Sequence, residues 1–461
     1  MDLSGRKVAR CACSAPRTAS IATGHCTIQT SPNAESSKEN FMERKISPQS
    51  WMIVACGFLV LLVTNGMTLT GITMFDNALL SEFGWQRGAL KLRDLITFAG
   101  AGFIAPLFGW LADKGHIRKC LLAGCLFLAA GFLVYSRIST IGGVYLAHAL
   151  FGLSLASAGI VSVVFLVSSN VPASKRGLAL GIALVGSSLG NSIFPQFNLA
   201  LLNAFDWRTA LVYLSAIPVL LMVMIALFLK VPHSTSNSNG ATPENPGLDQ
   251  NLAGKGSNAV DRHPSTSVFR SPAFWSIGIV AMLTFFSILG VTSHVFLRLT
   301  GAGYSPQFAG TALGMLFMMG LVGKLFSGAF ADKFGVRLLM TLSLLLMSAG
   351  AFGLSQSVSL GVRAWILLFG LGWGALYTLI QMSIISTFGT KGSGRILGAV
   401  ALLEALGGGL GPWIVGLLYD KTGSYQLGFG VVCAALLVAL FASVSLKKST
   451  LAQQQAAFGT N

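Results

Sequence analysis

Long apolar runs separated by short polar stretches set the rhythm of this chain. Twelve runs of 18 to 27 residues fall at about 52–74, 90–110, 119–136, 142–168, 177–201, 208–230, 273–297, 307–329, 338–356, 364–386, 396–418 and 426–446. A helix needs roughly 20 apolar residues to cross a hydrocarbon core about 30 Å thick, so the pattern predicts twelve transmembrane helices and an all-α membrane protein. An even number of crossings puts both termini on one face. Residues 1–50, rich in Ser, Thr and Arg, read as a disordered tail, and residues 231–270, rich in Ser, Asn, Gly and Pro, as a flexible linker. The expected organisation is a six-helix bundle over 51–230, the linker, a second six-helix bundle over 271–446 and a tail over 447–461.

The two halves repeat one another. Gly109 to Arg118 and Gly328 to Arg337 share the pattern Gly-x-x-Ala-Asp-Lys-x-x-x-Arg, and every matched position is separated by the interval that runs from Asp113 to Asp332. The same interval relates Gly71 to Gly290, Arg176 to Arg395 and Gly190 to Gly409. A repeat of about half the chain length is a known architecture of membrane transport proteins.

The doubled loop resembles the signature loop of the major facilitator superfamily, and the resemblance extends over about residues 51–446. It implies two pseudo-symmetric six-helix bundles that rock about a midplane cavity. It also implies a cytoplasmic latch, in which Asp113 meets the start of the eleventh helix near Arg395 and Asp332 meets the fifth near Arg176. A carboxylate gains there from the helix N-terminus and the adjacent arginine; Arg118 and Arg337 complete the two motifs. His116 stands where the family has glycine, so the freedom of that turn falls to Gly115.

Composition reaches the membrane class independently, with 53% hydrophobic and 10% charged residues and a mean hydropathy of +0.71. The net charge of +16 sorts by face. With the termini cytoplasmic, 22 Lys and Arg lie on that side, and 8, counting Arg87, Lys91 and Arg93, belong to the other face. This is the positive-inside asymmetry, expected of a multi-pass protein of the cell membrane, and it leaves no basic soluble face for nucleic acid. Met42 is a second candidate start, and the Arg-rich N-terminus is compatible with a transit peptide. Cys11, Cys13, Cys26 and His25 match no standard zinc spacing; Cys56, Cys120, Cys125 and Cys433 read as small apolar residues. Neither a metal nor a cofactor is expected.

Enzyme motifs fail on context. Gly186-Ser187-Ser188-Leu189-Gly190 has the spacing of a nucleophile elbow but lies in an apolar span instead of after a strand. Gly323-Lys324 lacks the flanking residues of a phosphate loop. The chemistry expected is that of polar groups at bilayer depth, where a charge costs about 2.5 to 3.5 kcal/mol and tends to be kept for substrate or proton. Lys324 in the eighth span and Glu404 in the eleventh qualify. Two readings stand for Lys324, a counter-ion for an anionic substrate or a structural partner of Glu404, and two for Glu404, a proton carrier or a tether for that lysine.

Thr284, Ser287, Val291 and His294 share one face of the seventh helix, so His294 is a candidate for a carboxylate or a proton. Trp373, Tyr377 and Gln381 share one face of the tenth, either as cavity lining or as packing. Asn65 with Thr64 and Thr68, and Ser187, Asn191 and Asn198, add weaker polar candidates. His148 is a second protonatable candidate or else a satisfied buried histidine. A Lys before Ser-Gly-x-x-Ala-Asp in the eighth span, Glu82 to Gly88, Trp207-Arg208, Gly407 to Pro412 and Tyr419 to Tyr425 resemble the bacterial monocarboxylate and oxalate/formate-like porters. Asn65-Gly66-Met67 replaces the acidic-Gly-aromatic signature of the animal carriers, and Ser188 to Asn191 replaces the fifth-span motif of proton-antiporting drug exporters. The expected function is secondary transport of a small mono- or dicarboxylate, coupled to protons, by a monomer. Drug efflux and a non-transporting sensor on the same fold are the alternatives.

Overall fold

The structure, a computed structural model, describes residues 48–229, 268–356, 361–388 and 393–458. The expected N-terminal tail and almost all of the linker lie outside them, as do the side chains of Asp113, Arg176, Asp332 and Arg395. The latch therefore falls outside the described residues, except for Arg118, which donates to the Ala226 carbonyl, and Arg337, which is half-buried.

Every regular element among the described residues is helical. Twelve of these helices are long and apolar enough to span a bilayer: α1 Pro48–Phe83, α2 Arg87–Leu111, α3 Lys114–Ser136, α4 Ile141–Asn170, α5 Leu178–Ala204, α6 Trp207–Phe228, α7 Pro272–Gly301, α8 Pro306–Ala331, α9 Val336–Ser355, α10 Val362–Phe388, α11 Ile396–Thr422 and α12 Tyr425–Val444. The α12 backbone stays helical to Phe458. Local sequence accounts for several starts. Ser271 and Ser305 accept hydrogen bonds from the Phe274 and Phe308 amides at 3.2 Å, each followed by a first-turn proline. Asp206 caps α6 through the Thr209 amide at 3.1 Å, and hydrogen bonds from Thr209 hold its carboxyl below the usual carboxylate range. In the doubled loop Gly335 is left-handed at φ 81°, while its first-half counterpart is His116; there the left-handed residue is Gly115 at φ 83°, one place earlier, as the sequence implies.

Packing repeats across the halves. In the first, α1 lies on α5, α2 on α4 and α3 on α6; in the second, α7 lies on α11, α8 on α10 and α9 on α12. Glycines set the close approaches. A Cβ on Gly190 would strike the Leu62 carbonyl and one on Gly411 the Phe286 carbonyl; one on Gly152 would strike the Thr97 carbonyl and one on Gly370 the Leu316 carbonyl. Thr97 and Leu316 are again separated by the repeat interval. Large apolar side chains such as Phe103, Leu107, Leu220 and Phe441 face outward, as a lipid-exposed surface requires.

α1 is not a continuous α-helix. It passes through a π turn at Gly66–Thr70 and a 3₁₀ turn at Gly71–Phe75 before resuming at Asp76. Gly66 lies backbone to backbone against Gly190, and Thr64 and Thr68 return their hydroxyls to the Val60 and Thr64 carbonyls at 2.8 and 2.6 Å. Such interruptions concentrate at functional sites.

The bundles meet along α2 against α11 and α5 against α8. Hydrogen bonds joining them run from mid-depth, Lys324 to Ser188 and Ser192 to the Gly314 carbonyl, to the face away from the termini, where Asn77 bonds Thr300. At that face the Asp420 carboxylate accepts from the Arg87 and Gly88 amides at 2.9 and 2.6 Å, so α11 caps the start of α2. The Arg87 guanidinium lies 3.8 Å over the Tyr419 ring and donates to the Tyr425 hydroxyl.

Candidate functional site

A cavity of about 130 Å³ opens between the bundles at the depth of the α1 interruption. Asn65 stands immediately before the π turn of α1 and Leu69 within it; Ser187, Ser188 and Asn191 come from α5, and Phe98 and Ile160 from α2 and α4. The second bundle adds Phe285, Ile288 and Leu289 of α7, Phe317 and Lys324 of α8, and Trp373 and Tyr377 of α10. The Lys324 ammonium donates to Ser188 Oγ at 3.0 Å and lies 4.6 Å over the Tyr377 ring. No ion pair ties it to a carboxylate among the described residues. A hydroxyl and a ring face satisfy an ammonium only in part, so the site presents a cation with room for an anion. Trp373 stands edge-on to Phe285 and Tyr377, at 5.2 and 5.6 Å between centroids, giving the cavity an aromatic wall.

Of the residues singled out from sequence, Lys324, Tyr377, Trp373 and Asn191 come together here. Asn191 donates to the Ser187 carbonyl and its amide oxygen accepts from Thr70, at 2.9 and 3.2 Å. Gln381 lies one turn past Tyr377, half-buried and outside the lining. Glu404 is not paired with Lys324; its Oε1 is buried without a partner. His294 does not reach the cavity, because Phe285, Ile288 and Leu289 turn the other face of α7 toward it. Its Nε2 lies 2.8 Å from the Pro412 carbonyl, which can only accept, so that nitrogen carries the proton; Nδ1 accepts from the Tyr425 hydroxyl at 3.2 Å. His148 is fully buried on α4, with Nδ1 2.9 Å from the Thr97 hydroxyl.

Sequence reasoning missed a second polar centre. Lys91 and Arg93, counted above with the outer face, are wholly buried within α2. The Asp76 carboxylate accepts from both at 2.5 Å. Arg93 also donates to the Tyr135 hydroxyl at 2.7 Å, and its Nε lies 3.7 Å from Asp94. Asp94 in turn accepts from Ser293 of the second bundle at 3.1 Å.

With this arrangement in hand, comparison with known proteins decides the family. The profile of the Major Facilitator Superfamily matches residues 56–412 and, in an overlapping segment, 303–458. The chain belongs to the major facilitator superfamily. Similar superfamily members include monocarboxylate transporter 13 of Bos taurus, 27% identical over 395 residues that cover 84% of this chain and 87% of that one. The Rattus norvegicus monocarboxylate transporter 13 is 28% identical over 397 residues, covering 84% and 86%. Among solved structures, the nucleoside transporter NupG superposes with a TM-score of 0.67 at 13% identity, over 87% of this chain and 100% of that one. A bacterial homologue of the human lysosomal transporter Spinster gives 0.64 at 15%, over 87% and 97%. These structures share the fold. The protein is thus a multi-pass membrane transporter of this superfamily, related to monocarboxylate transporters, and not an enzyme.

Two marks of the resemblance, Arg87-Gly88 and Tyr419 to Tyr425, turn out to be the two sides of one joint between bundles. The buried centre did leave a signal. Asp76, Lys91, Arg93 and Asp94 interrupt apolar sequence at the junction of the first two spans, and four charges there exceed what a short exposed loop requires. Counting the cations among them with the outer face hid them, because length alone does not separate a loop charge from one held inside by a partner.

Proposed function

We infer that this superfamily transporter carries a small monocarboxylate or closely related organic anion, coupled to protons, by alternating access of its two bundles. The observation that carries the reading is Lys324, a cation at mid-depth in the cavity that holds a hydroxyl and an aromatic ring but no carboxylate. The desolvation cost of such a charge is offset when an anion arrives, which makes the site selective for the anionic form of a ligand. The kinship with monocarboxylate transporters points the same way. A volume of about 130 Å³ is close to that of an engineered cavity of about 150 Å³ that admits benzene, so it suits a compact acid better than a bulky drug. Bundles over 51–230 and 271–446, cytoplasmic termini, a plasma-membrane location and a monomer complete the reading. The Asp113/Arg395 and Asp332/Arg176 contacts act as the latch on the terminal face.

Counterflow in proteoliposomes tests it. Vesicles loaded with unlabelled acetate, lactate, pyruvate or benzoate are diluted into the labelled acid, for wild type and Lys324→Gln. Transient accumulation of at least one acid, lost in the variant at equal protein content, supports the reading. No accumulation with any acid above protein-free vesicles contradicts it.

A further inference from the structure

Thr311 and Met315 stand about half a turn around α8 from Phe317 and Lys324, so the helix that supplies the cation of the transport cavity turns its opposite flank to a second hollow. That hollow, of about 230 Å³, lies between the first turns of α8 and α10 and is lined by Gln307, Phe308, Thr311, Ala312, Met315 and Arg363. Both turns are at the face away from the termini. The remaining flanks of α8 are covered by neighbours. A Cβ on Gly310 or Gly314 would meet Gln196 or Ser192 of α5, and one on Gly320 or Gly323 would meet Trp373 or Leu371 of α10. The hollow therefore opens toward lipid and away from the substrate path.

Its charge is of one sign. The Arg363 guanidinium lies 4.8 Å over the Phe308 ring and, among the described residues, has neither an ion pair nor a hydrogen bond to an oxygen. Neither helix carries an acidic residue in its first turn. Thr311 gives its hydroxyl proton to the Gln307 carbonyl at 2.7 Å, so Arg363 and the Gln307 side-chain amide are the donors left for a ligand. An arginine fork fits a phosphate, and with no carboxylate in the lining there is nothing to receive an ammonium. Trp365, exposed at the same level, is a residue type that marks the headgroup boundary. Below it, Met315, Met318, Val322 and Phe326 continue down the same flank of α8, each exposed. At 1.5 Å per residue that stripe is about 16 Å long, roughly one leaflet of a hydrocarbon core about 30 Å thick. A cation at headgroup depth above an apolar track one leaflet long has the outline of a lipid.

We propose that the hollow between α8 and α10 binds an anionic glycerophospholipid of the leaflet away from the termini, with its phosphate on Arg363 and Gln307 and an acyl chain along Met315, Met318, Val322 and Phe326. The bound lipid ties the first turns of α8 and α10 together. A zwitterionic lipid offers the same phosphate and chains but brings an ammonium, which meets Arg363 as a like charge. One cation near a lipid surface changes the occupancy of an anionic lipid roughly fivefold. None of this depends on the Lys324 cavity or on protons, so the site stands or falls apart from the transport reading.

Photo-cross-linking of the full chain in phosphatidylcholine proteoliposomes tests this. A trace of phosphatidylglycerol or of phosphatidylcholine, each with a photoreactive group in one acyl chain, is included. After illumination the lipid attached to residues 315–326 is quantified by peptide mass spectrometry against that attached around Leu220, an exposed position of α6. The phosphatidylglycerol probe should label the α8 segment about fivefold more than the phosphatidylcholine probe. Arg363→Gln removes that excess, and Arg137→Gln, which removes an exposed cation elsewhere on the same face, leaves it. Competition on the wild type covers the case in which the Arg363 variant does not insert: unlabelled phosphatidylglycerol abolishes the excess and inorganic phosphate at the same concentration does not. Equal labelling by the two probes, an excess that survives in Arg363→Gln or is lost equally in Arg137→Gln, or displacement by inorganic phosphate as effective as by lipid, overturns the proposal.

Discussion

At the scale of single residues, the account turns on which charges have partners. Lys324 has a hydroxyl and a ring; a hydrogen bond to a charged group is worth about 1.5 to 3 kcal/mol. Lys324→Gln should therefore lower kcat/KM for the transported acid by roughly 10- to 100-fold, and Ser188→Ala, which removes one neutral acceptor of the ammonium, by only about fivefold; initial-rate uptake at matched protein content reads both. The opposite case is Asp76, where two cations depend on one carboxylate. Asp76→Asn leaves buried charge uncompensated, a loss of about 3 to 5 kcal/mol. Typical folded proteins have a total stability of only about 5 to 15 kcal/mol, so thermal unfolding in detergent should show a marked fall in Tm or no folded protein. The Lys324 site was legible in sequence because depth along a helix follows from counting residues from Asp332. The partners were not, since whether Lys324 meets Glu404 or Ser188 depends on which faces of α8, α11 and α5 meet, and helical periodicity leaves that open. His294 failed to reach the cavity for the same reason: its stripe was right, but the stripe faces α11 and α12.

At the scale of elements, twelve apolar runs were enough to place twelve helices, because the bilayer allows few other solutions. What the runs concealed were the departures from regularity. The interruption of α1 at Gly66–Phe75 has no periodic signature, since every residue in it is apolar, small or Thr; it arises where Gly66 is pressed against Gly190 of α5. Enlarging that contact is predicted to be severe. A side chain at Gly190 has only the Leu62 backbone to displace, so Gly190→Val should abolish both folding yield and uptake. Gly115 offers a milder test. Its Cβ would meet no atom within 4 Å, yet its φ of 83° is costly for any residue with a side chain. Gly115→Ala should lower stability by about 1 kcal/mol without altering substrate specificity, whereas His116→Gly, at the position favoured by the family, should leave stability nearly unchanged. Unfolding and uptake assays on the pair check this.

At the scale of the whole molecule, the sequence repeat becomes a repeat of packing. α1 on α5 is matched by α7 on α11, α2 on α4 by α8 on α10 and α3 on α6 by α9 on α12, so one sequence unit accounts for both bundles. The symmetry was readable from two loops, but the joint between the bundles was not, because it depends on the unlike residues of the two halves. Asp420 caps α2 across that joint, and Asp420→Ala should raise several-fold the rate at which a cysteine at Leu417 is labelled, with little change in the amount of folded protein. The central claim is that an organic acid and a proton cross together through the Lys324 cavity. Internal pH tests it most directly, followed with a trapped dye in proteoliposomes while acetate, lactate, pyruvate or benzoate is added outside, for wild type, Lys324→Gln and protein-free vesicles. The account predicts acidification by at least one acid, faster than in protein-free vesicles, and lost in Lys324→Gln; wild-type vesicles that acidify no faster than protein-free ones with any acid, or a variant that matches wild type, would contradict it.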